Sequence, residues 1–121
     1  MMGSKGGTGA VVRSRAITAS ERGMPKVTER QFQAQVEKYL RLMGWIVFHT
    51  RYSIGSSPGF PDICACRAGR LAMIELKIAT GKISPAQAEW GEALAGVGGT
   101  VEYHLIRATD DGWAFIEQMF R

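Results

Sequence analysis

Asp62 follows Pro61 at the head of one short β-prone run, and the triplet Glu75-Leu76-Lys77 lies on the next. Side chains alternate along a strand, so Glu75 and Lys77 face one way while Ile74 and Leu76 face the other, toward a core. If the two runs form a hairpin turning near Gly69, Asp62 comes close to Glu75 and Lys77. Two carboxylates that close repel each other and raise one pKa unless a cation intervenes. A divalent metal resolves the conflict: Mg²⁺ takes one or two carboxylates and keeps its other positions for water and phosphate oxygens. Asp62 and Glu75 are therefore read as metal ligands, with the Leu76 carbonyl as a further one. Lys77 would orient or help deprotonate the attacking water and offset developing negative charge. This is the equipment of metal-assisted phosphodiester hydrolysis. The Glu-Leu-Lys triplet alone would also describe a solvent-facing ion pair on an edge strand. Pro61-Asp62 at hairpin distance is what lifts the reading above that.

The elements that must position these groups are legible. Thr28 reads as a helix N-cap with Gln31 at the capping-box position. Phe32, Val36, Tyr39, Leu40 and Met43 follow as an apolar stripe, and Gly44 stops the helix. Trp45 to His49 is a β-prone run, and residues 51–59 hold the breakers Gly55, Ser56, Ser57, Pro58 and Gly59. Pro61 starts a strand that continues to Arg67, Ala68-Gly69 turn the chain, and Leu71 to Ile78 form the hairpin partner. Ser84 caps a second helix, Pro85 takes its first position and Gln87 its capping-box position; Gly96 to Gly99 finish it. Thr100 to Ile106 is a fourth strand, followed by a turn near Asp110 and a short helix from Trp113 to Phe120. The order helix, strand, strand, strand, helix, strand, helix implies an α/β fold, a mixed β-sheet flanked by helices.

The 121 residues are 45% hydrophobic and 21% charged, which suits one globular domain. No apolar run is long enough to span a bilayer, and no apolar stretch follows the N-terminal basic residues as in a secretory signal. A soluble cytoplasmic protein is the expectation. The net charge of +4 is unevenly placed. Residues 1–26 carry Lys5, Arg13, Arg15, Arg22 and Lys26 against Glu21, which accounts for all of it. Rich in Gly, Ser and Thr, these residues read as a disordered basic tail that could hold nucleic acid nonspecifically, ahead of a domain over 27–121. Cys64 and Cys66 alternate on a strand about 6.5–7 Å apart, too far for a disulfide, and read as reduced thiols that pack.

Pro61-Asp62 with Glu75-Leu76-Lys77 resembles the PD-(D/E)xK nuclease superfamily. With Thr28-Glu29-Arg30-Gln31-Phe32, Gly59-Phe60-Pro61-Asp62 and Ser84-Pro85-Ala86-Gln87, the chain looks like a virus-type replication–repair nuclease (VRR-NUC) domain over roughly residues 27–121. The resemblance implies a restriction-endonuclease-like core and Mg²⁺- or Mn²⁺-dependent cleavage. It implies that Glu29 completes the metal site, although an acid in a first helical turn is also favoured by the helix dipole. Gln87 matches a glutamine that acts near the active site in this family, beside its capping role. Arg51, Tyr52 and Lys82 are weaker candidates for contacts to nucleic acid; His49, at a strand end, reads as structural. The family includes small phage and bacterial stand-alone domains resembling Holliday-junction resolvases. That makes branched DNA in a host cytoplasm the expected substrate and a homodimer the expected form, joined through apolar surfaces of the first and last helices. The alternatives are a non-catalytic nucleic-acid-binding module and a nuclease acting on single-stranded or other branched nucleic acid.

Overall fold

The computed structural model describes residues 27–50 and 57–121. The readings of 1–26 as a tail and of Arg51 and Tyr52 as nucleic-acid contacts fall outside those residues.

Helix α1 (Glu29–Leu42) begins with the expected capping box. The Thr28 hydroxyl accepts the Gln31 N–H at 3.1 Å, and Gln31 Oε1 accepts the Thr28 N–H at 2.9 Å. Gly44, at φ +89°, lets the chain leave the helix in the left-handed conformation that disfavours a side chain. Strands β1 (Ile46–His49), β2 (Ile63–Arg67) and β3 (Arg70–Lys77) then form an antiparallel meander. The β2–β3 turn is two residues long, with Ala68 and Gly69 both at positive φ, the hand that matches strand twist. Helix α2 (Pro85–Ala95) repeats the capping box with Ser84 and Gln87. It carries the chain over to β4 (Val101–Arg107), which runs parallel to β3, and α3 (Asp110–Phe120) closes the chain. The sheet is mixed, in the order β1-β2-β3-β4.

Two boundaries differ from the sequence reading. Asp62 stands one residue ahead of β2 rather than inside it. Its carbonyl still accepts the Thr50 N–H at 2.8 Å, so its backbone remains tied to the chain leaving β1. The last helix starts at Asp110, three residues before Trp113, because Thr109 is an N-cap whose hydroxyl accepts the Gly112 N–H at 3.0 Å. The same residue types make turns and helix starts, so the turn expected near Asp110 is the first turn of the helix.

The sheet has two unlike faces. On one, Ile63, Ala65, Ala72, Ile74, Leu76 and Ile106 meet the apolar stripe of α1 (Phe32, Val36, Leu40) and of α3 (Ile116, Phe120). Burying a side chain of this size contributes about 1.5–3 kcal/mol. Trp45 joins this core and donates its indole N–H to the Phe120 carbonyl at 2.8 Å. On the other face α2 lies against β4, leaving the β1 end of that face open. The apolar stripes of α1 and α3 are thus used up inside the molecule. The most exposed large apolar side chains of the sheet are instead Ile46 (78%) and Phe48 (66%) on β1. Among the described residues no helix is long and apolar enough to cross a membrane.

Candidate active site

The segment that delivers Asp62 is docked on the start of α2. Gly59 lies at φ +86°, and a Cβ there would run into the backbone of Ala86 and Gln87. The approach is so close that only glycine fits. Phe60 packs edge-on against Trp90 of α2, with ring centroids 4.9 Å apart, and Pro61 is fully buried. Asp62 is thereby aimed at β3, where its Oδ2 accepts the Leu76 N–H at 2.8 Å.

Glu75 is only 2% exposed, so it is no surface ion-pair residue. Its Oε2 accepts a hydrogen bond from Gln87 Nε2 at 2.8 Å. The same Gln87 closes the α2 capping box: its Oε1 accepts the Ser84 N–H at 2.9 Å. Opposite ends of one amide thus serve the helix cap and the Glu75 carboxylate. Each carboxylate has one oxygen held, while among the described residues Asp62 Oδ1 and Glu75 Oε1 have no hydrogen-bond partner.

The electrostatics follow from burial. Glu75 is pushed up to about 8, first by desolvation and then by the charge of Asp62; Lys77 pulls the other way and Glu29 adds to the rise. Asp62 is raised by burial and less so by Glu29, against the Leu76 hydrogen bond and Lys77, which lower it. Lys77 thus acts on both acids, although among the described residues it makes no ion pair with either within 4 Å. Glu29 is exposed and lines, with Asp62, a cleft of about 600 Å³ that runs beside α1.

These acids are a fit for a divalent cation of the Mg²⁺ type. Two partly buried carboxylates with raised pKa values, Glu75 in part through the charge of Asp62, each with an oxygen to spare, are what such an ion stabilises. Among the described residues no three of His, Cys, Asp and Glu are gathered around one point, so Glu29 stands on the rim rather than in a ready-made cluster. Lys82 is exposed in the loop before α2, apart from the carboxylates in any hydrogen bond or ion pair described. Arg107 holds the preceding turn, donating to the carbonyls of Ile78 at 3.1 Å and Gly81 at 2.6 Å. Cys64 and Cys66 are free thiols, as expected, but they do not pack in the core: Cys64 is half-buried and Cys66 exposed, because both lie on the sheet face opposite Ala65 and the core.

Two features escaped the sequence reading. Tyr103 of β4 lies against Gly91 of α2, and its hydroxyl is pushed up by burial and by the charges of Glu75 and Asp62. Strand alternation would have placed it on the Glu75 face, since Tyr103 pairs with Met73. On α1, Glu37 is buried (7% exposed) yet charged in type. It accepts from Gln33 Nε2 at 2.9 Å and from Arg41 at 3.3 Å, and His49 Nδ1 lies 3.2 Å from its Oε1. The i−4 and i+4 spacing of Gln33 and Arg41 was the available signal.

Among solved structures, one described as a VRR_NUC domain matches with a TM-score of 0.63 at 20% identity, covering 76% of this chain and 97% of that one. A second, a VRR_NUC domain protein, matches with a TM-score of 0.59 at 21% identity, covering 78% and 88%. A looser likeness, with a TM-score of 0.49 at 21% identity over 66% of this chain and 68% of that one, is to Hjc, a Holliday junction resolvase from Archaeoglobus fulgidus. No family model matches the chain, and no curated protein matches it by sequence. The two VRR_NUC likenesses, with the mixed four-stranded sheet and its helices, show that the chain has the VRR-NUC fold, an α/β restriction-endonuclease-like core.

Proposed function

We propose that the protein is a divalent-metal-dependent endonuclease that hydrolyses DNA phosphodiesters, with branched DNA such as a four-way junction as its substrate. One observation carries this reading. Asp62 and Glu75 are brought together at the end of a hairpin, each with one oxygen held and one open, beside a lysine and a cleft.

Asp62 and Glu75 would hold Mg²⁺ or Mn²⁺, with the Leu76 carbonyl and Glu29 completing the set. When bound, the ion polarises the phosphoryl oxygen and lowers the pKa of a water. Lys77 orients that water and offsets the charge that grows on the phosphorus oxygens. Gln87 fixes the Glu75 carboxylate so that its free oxygen faces the gap, and Gly59-Phe60-Pro61 hold Asp62 opposite it. Preorganisation of this kind avoids reordering groups at the moment of reaction. The cleft along α1 would seat the nucleic-acid strand, and Lys82 would meet its backbone from the loop before α2.

Symmetric cutting of a junction needs two sites related by a two-fold axis, so the working form is taken to be a homodimer. Exposed Ile46 and Phe48 favour β1 over the helix surfaces as the joining face, and light scattering of the purified protein checks the dimer. The place of action is taken to be the cytoplasm.

The test is cleavage of a synthetic four-way junction beside flaps, linear duplex and single strands, with Mg²⁺, Mn²⁺ or EDTA. Metal-dependent cutting of the junction, lost in Lys77→Ala, is expected. Binding without cutting on every substrate would instead make this a nucleic-acid-binding module. Preferential cutting of single strands would correct the substrate alone.

A further inference from the structure

A lysine carries its charge on a flexible four-carbon stem, so its ammonium acts at a fixed point only if the stem is held. Among the described residues no ion pair within 4 Å holds the Lys77 ammonium. Backbone lies against the stem instead. Lys77 ends β3, and the chain then folds back: the Gly81 N–H donates to the Ile78 carbonyl at 3.0 Å and closes a tight turn. Gly81 thereby comes to rest on Lys77. A Cβ at Gly81 would stand 3.2 Å from Lys77 Cδ and 3.3 Å from Ile78 Cγ1, closer than ordinary van der Waals contact. The bare glycine leaves the stem the room it occupies.

That turn has its own clamp. Arg107 of β4 is paired with Lys77 in the parallel register, and the Ala108 N–H donates to the Lys77 carbonyl at 2.8 Å. Strand alternation puts Arg107 and Lys77 on the face of Glu75, side by side. Like charges at paired positions repel, so the strand itself gains nothing from a second cation there. The guanidinium is turned onto the loop. Its Nη1 donates to the carbonyls of Ile78 at 3.1 Å, Ala79 at 3.4 Å and Gly81 at 2.6 Å. Both ends of the turn are therefore gathered on one nitrogen. Among the described residues no carboxylate competes for Arg107. A rigid, planar set of donors suits the task of fixing several acceptors at once.

We propose that Arg107 is a positioning residue for Lys77: by fixing the Ile78–Gly81 turn it holds the Lys77 stem, and with it the ammonium, in place beside Asp62 and Glu75. The proposal rests on the nuclease reading for what Lys77 does and adds to it the device that keeps this lysine in place. Arg107 acts through the turn alone and contacts neither the metal nor the DNA.

The experiment pairs cleavage kinetics in Mn²⁺ with nuclear spin relaxation of protein carrying ¹³C at the lysine Cε atoms. The chain has five lysines, and Lys77→Arg assigns the signal of interest. Wild type, Arg107→Ala, Arg107→Lys and Gly81→Ala are compared after melting curves show that each is folded; Arg107→Gln, with a single amide donor group, stands in if Arg107→Ala does not fold. Arg107→Ala should lower kcat about ten- to a hundredfold, the cost of a misplacement of about an ångström, with KM within about twofold of wild type. Arg107→Lys should recover part of that loss. Gly81→Ala disturbs the same contact from the other side and should lower kcat as well. On a Lys77→Ala background, Arg107→Ala should cost nothing further, because no stem is left to hold. The Lys77 Cε should become more mobile in Arg107→Ala, while Lys38 on α1 stays as in wild type. A folded Arg107→Ala protein with wild-type kcat would overturn the proposal. So would a loss carried by KM alone, which would make Arg107 a DNA contact, an undiminished loss on the Lys77→Ala background, or unchanged Lys77 relaxation. If wild type cuts nothing, the nuclease reading fails on its own, and the relaxation measurement still decides whether Arg107 orders Lys77.

Discussion

Glu75 and Glu102 sit on neighbouring strands, three positions apart in register and on opposite faces of one sheet, and the protein treats them in opposite ways. Glu102 is gripped by Arg70 through two hydrogen bonds of 2.7 and 2.8 Å, and His104 adds a third contact at 2.9 Å. Arg70 also lies over the Trp45 ring and donates to the Met119 carbonyl, tying β3 to the end of α3. The Arg70 hydrogen bond is the largest influence on Glu102, which falls to about 2. Glu75 has an amide for a partner and another carboxylate for a neighbour, and rises to about 8. One acid has its countercharge inside the fold. The other has no ion-pair partner among the described residues, only the pull of Lys77 from beyond contact, and the remaining countercharge is what a divalent cation would supply. A buried carboxylate left in that state lowers stability, which is the signature of a site arranged for something other than folding.

The contrast can be broken most severely at the site itself. Asp62→Asn and Lys77→Ala should each lower metal-dependent cleavage by about 10²–10³-fold or more while the melting temperature stays close to wild type; retained activity would show the residue to be dispensable. Gly59→Ala forces a side chain into the α2 backbone at a left-handed φ and should cost about 2–3 kcal/mol in urea unfolding, with loss of cutting as Asp62 shifts. Arg70→Ala strands Glu102 and should cost about 1–3 kcal/mol by the same measurement. The smallest effect separates the two acids by sign. Glu75 has a folded pKa above its unfolded value, so its stabilising contribution is full below about pH 4.5 and is lost as pH rises toward 8. Glu102 has a lowered folded pKa, so its contribution is present above about pH 4.5 and is lost as pH falls toward 2. In metal-free protein, Glu75→Gln should therefore raise the urea midpoint at pH 8 and change it little at pH 4.5, whereas Glu102→Gln should lower it at pH 7. Equal signs for the two substitutions at neutral pH would remove the distinction between them.

Much of this was legible in the chain. Both capping boxes, the Ala68-Gly69 hairpin turn and the mixed sheet follow from local chemistry, because Thr28, Ser84, Pro85 and the glycines act within a few residues of themselves. The closeness of Asp62 and Glu75 was legible too, since a two-residue turn fixes the register of a hairpin. What the sequence hid is contact between distant segments. Nothing near Gly59 says that it will lie on the α2 backbone, and nothing near Glu37 says that a histidine twelve residues later will meet it. The burial of Glu75 was hidden for the same reason: β4 pairing on the far side of β3 and α2 packing on the second face make this an interior acid rather than one on an edge strand. An apolar helix stripe looks the same whether it meets a partner chain or its own core, so the sequence did not say that Phe32, Val36 and Leu40 of α1 and Ile116 and Phe120 of α3 are spent inside the fold.

Titration calorimetry of the metal-free protein with Mn²⁺ at pH 7.5 addresses the missing countercharge at its source. Binding of Mn²⁺ with a matching rise in melting temperature is expected for wild type, and loss of both in Asp62→Asn and in Glu75→Gln. Heat and stabilisation that persist unchanged in both variants, or that wild type never shows, would contradict a cation shared between these two carboxylates.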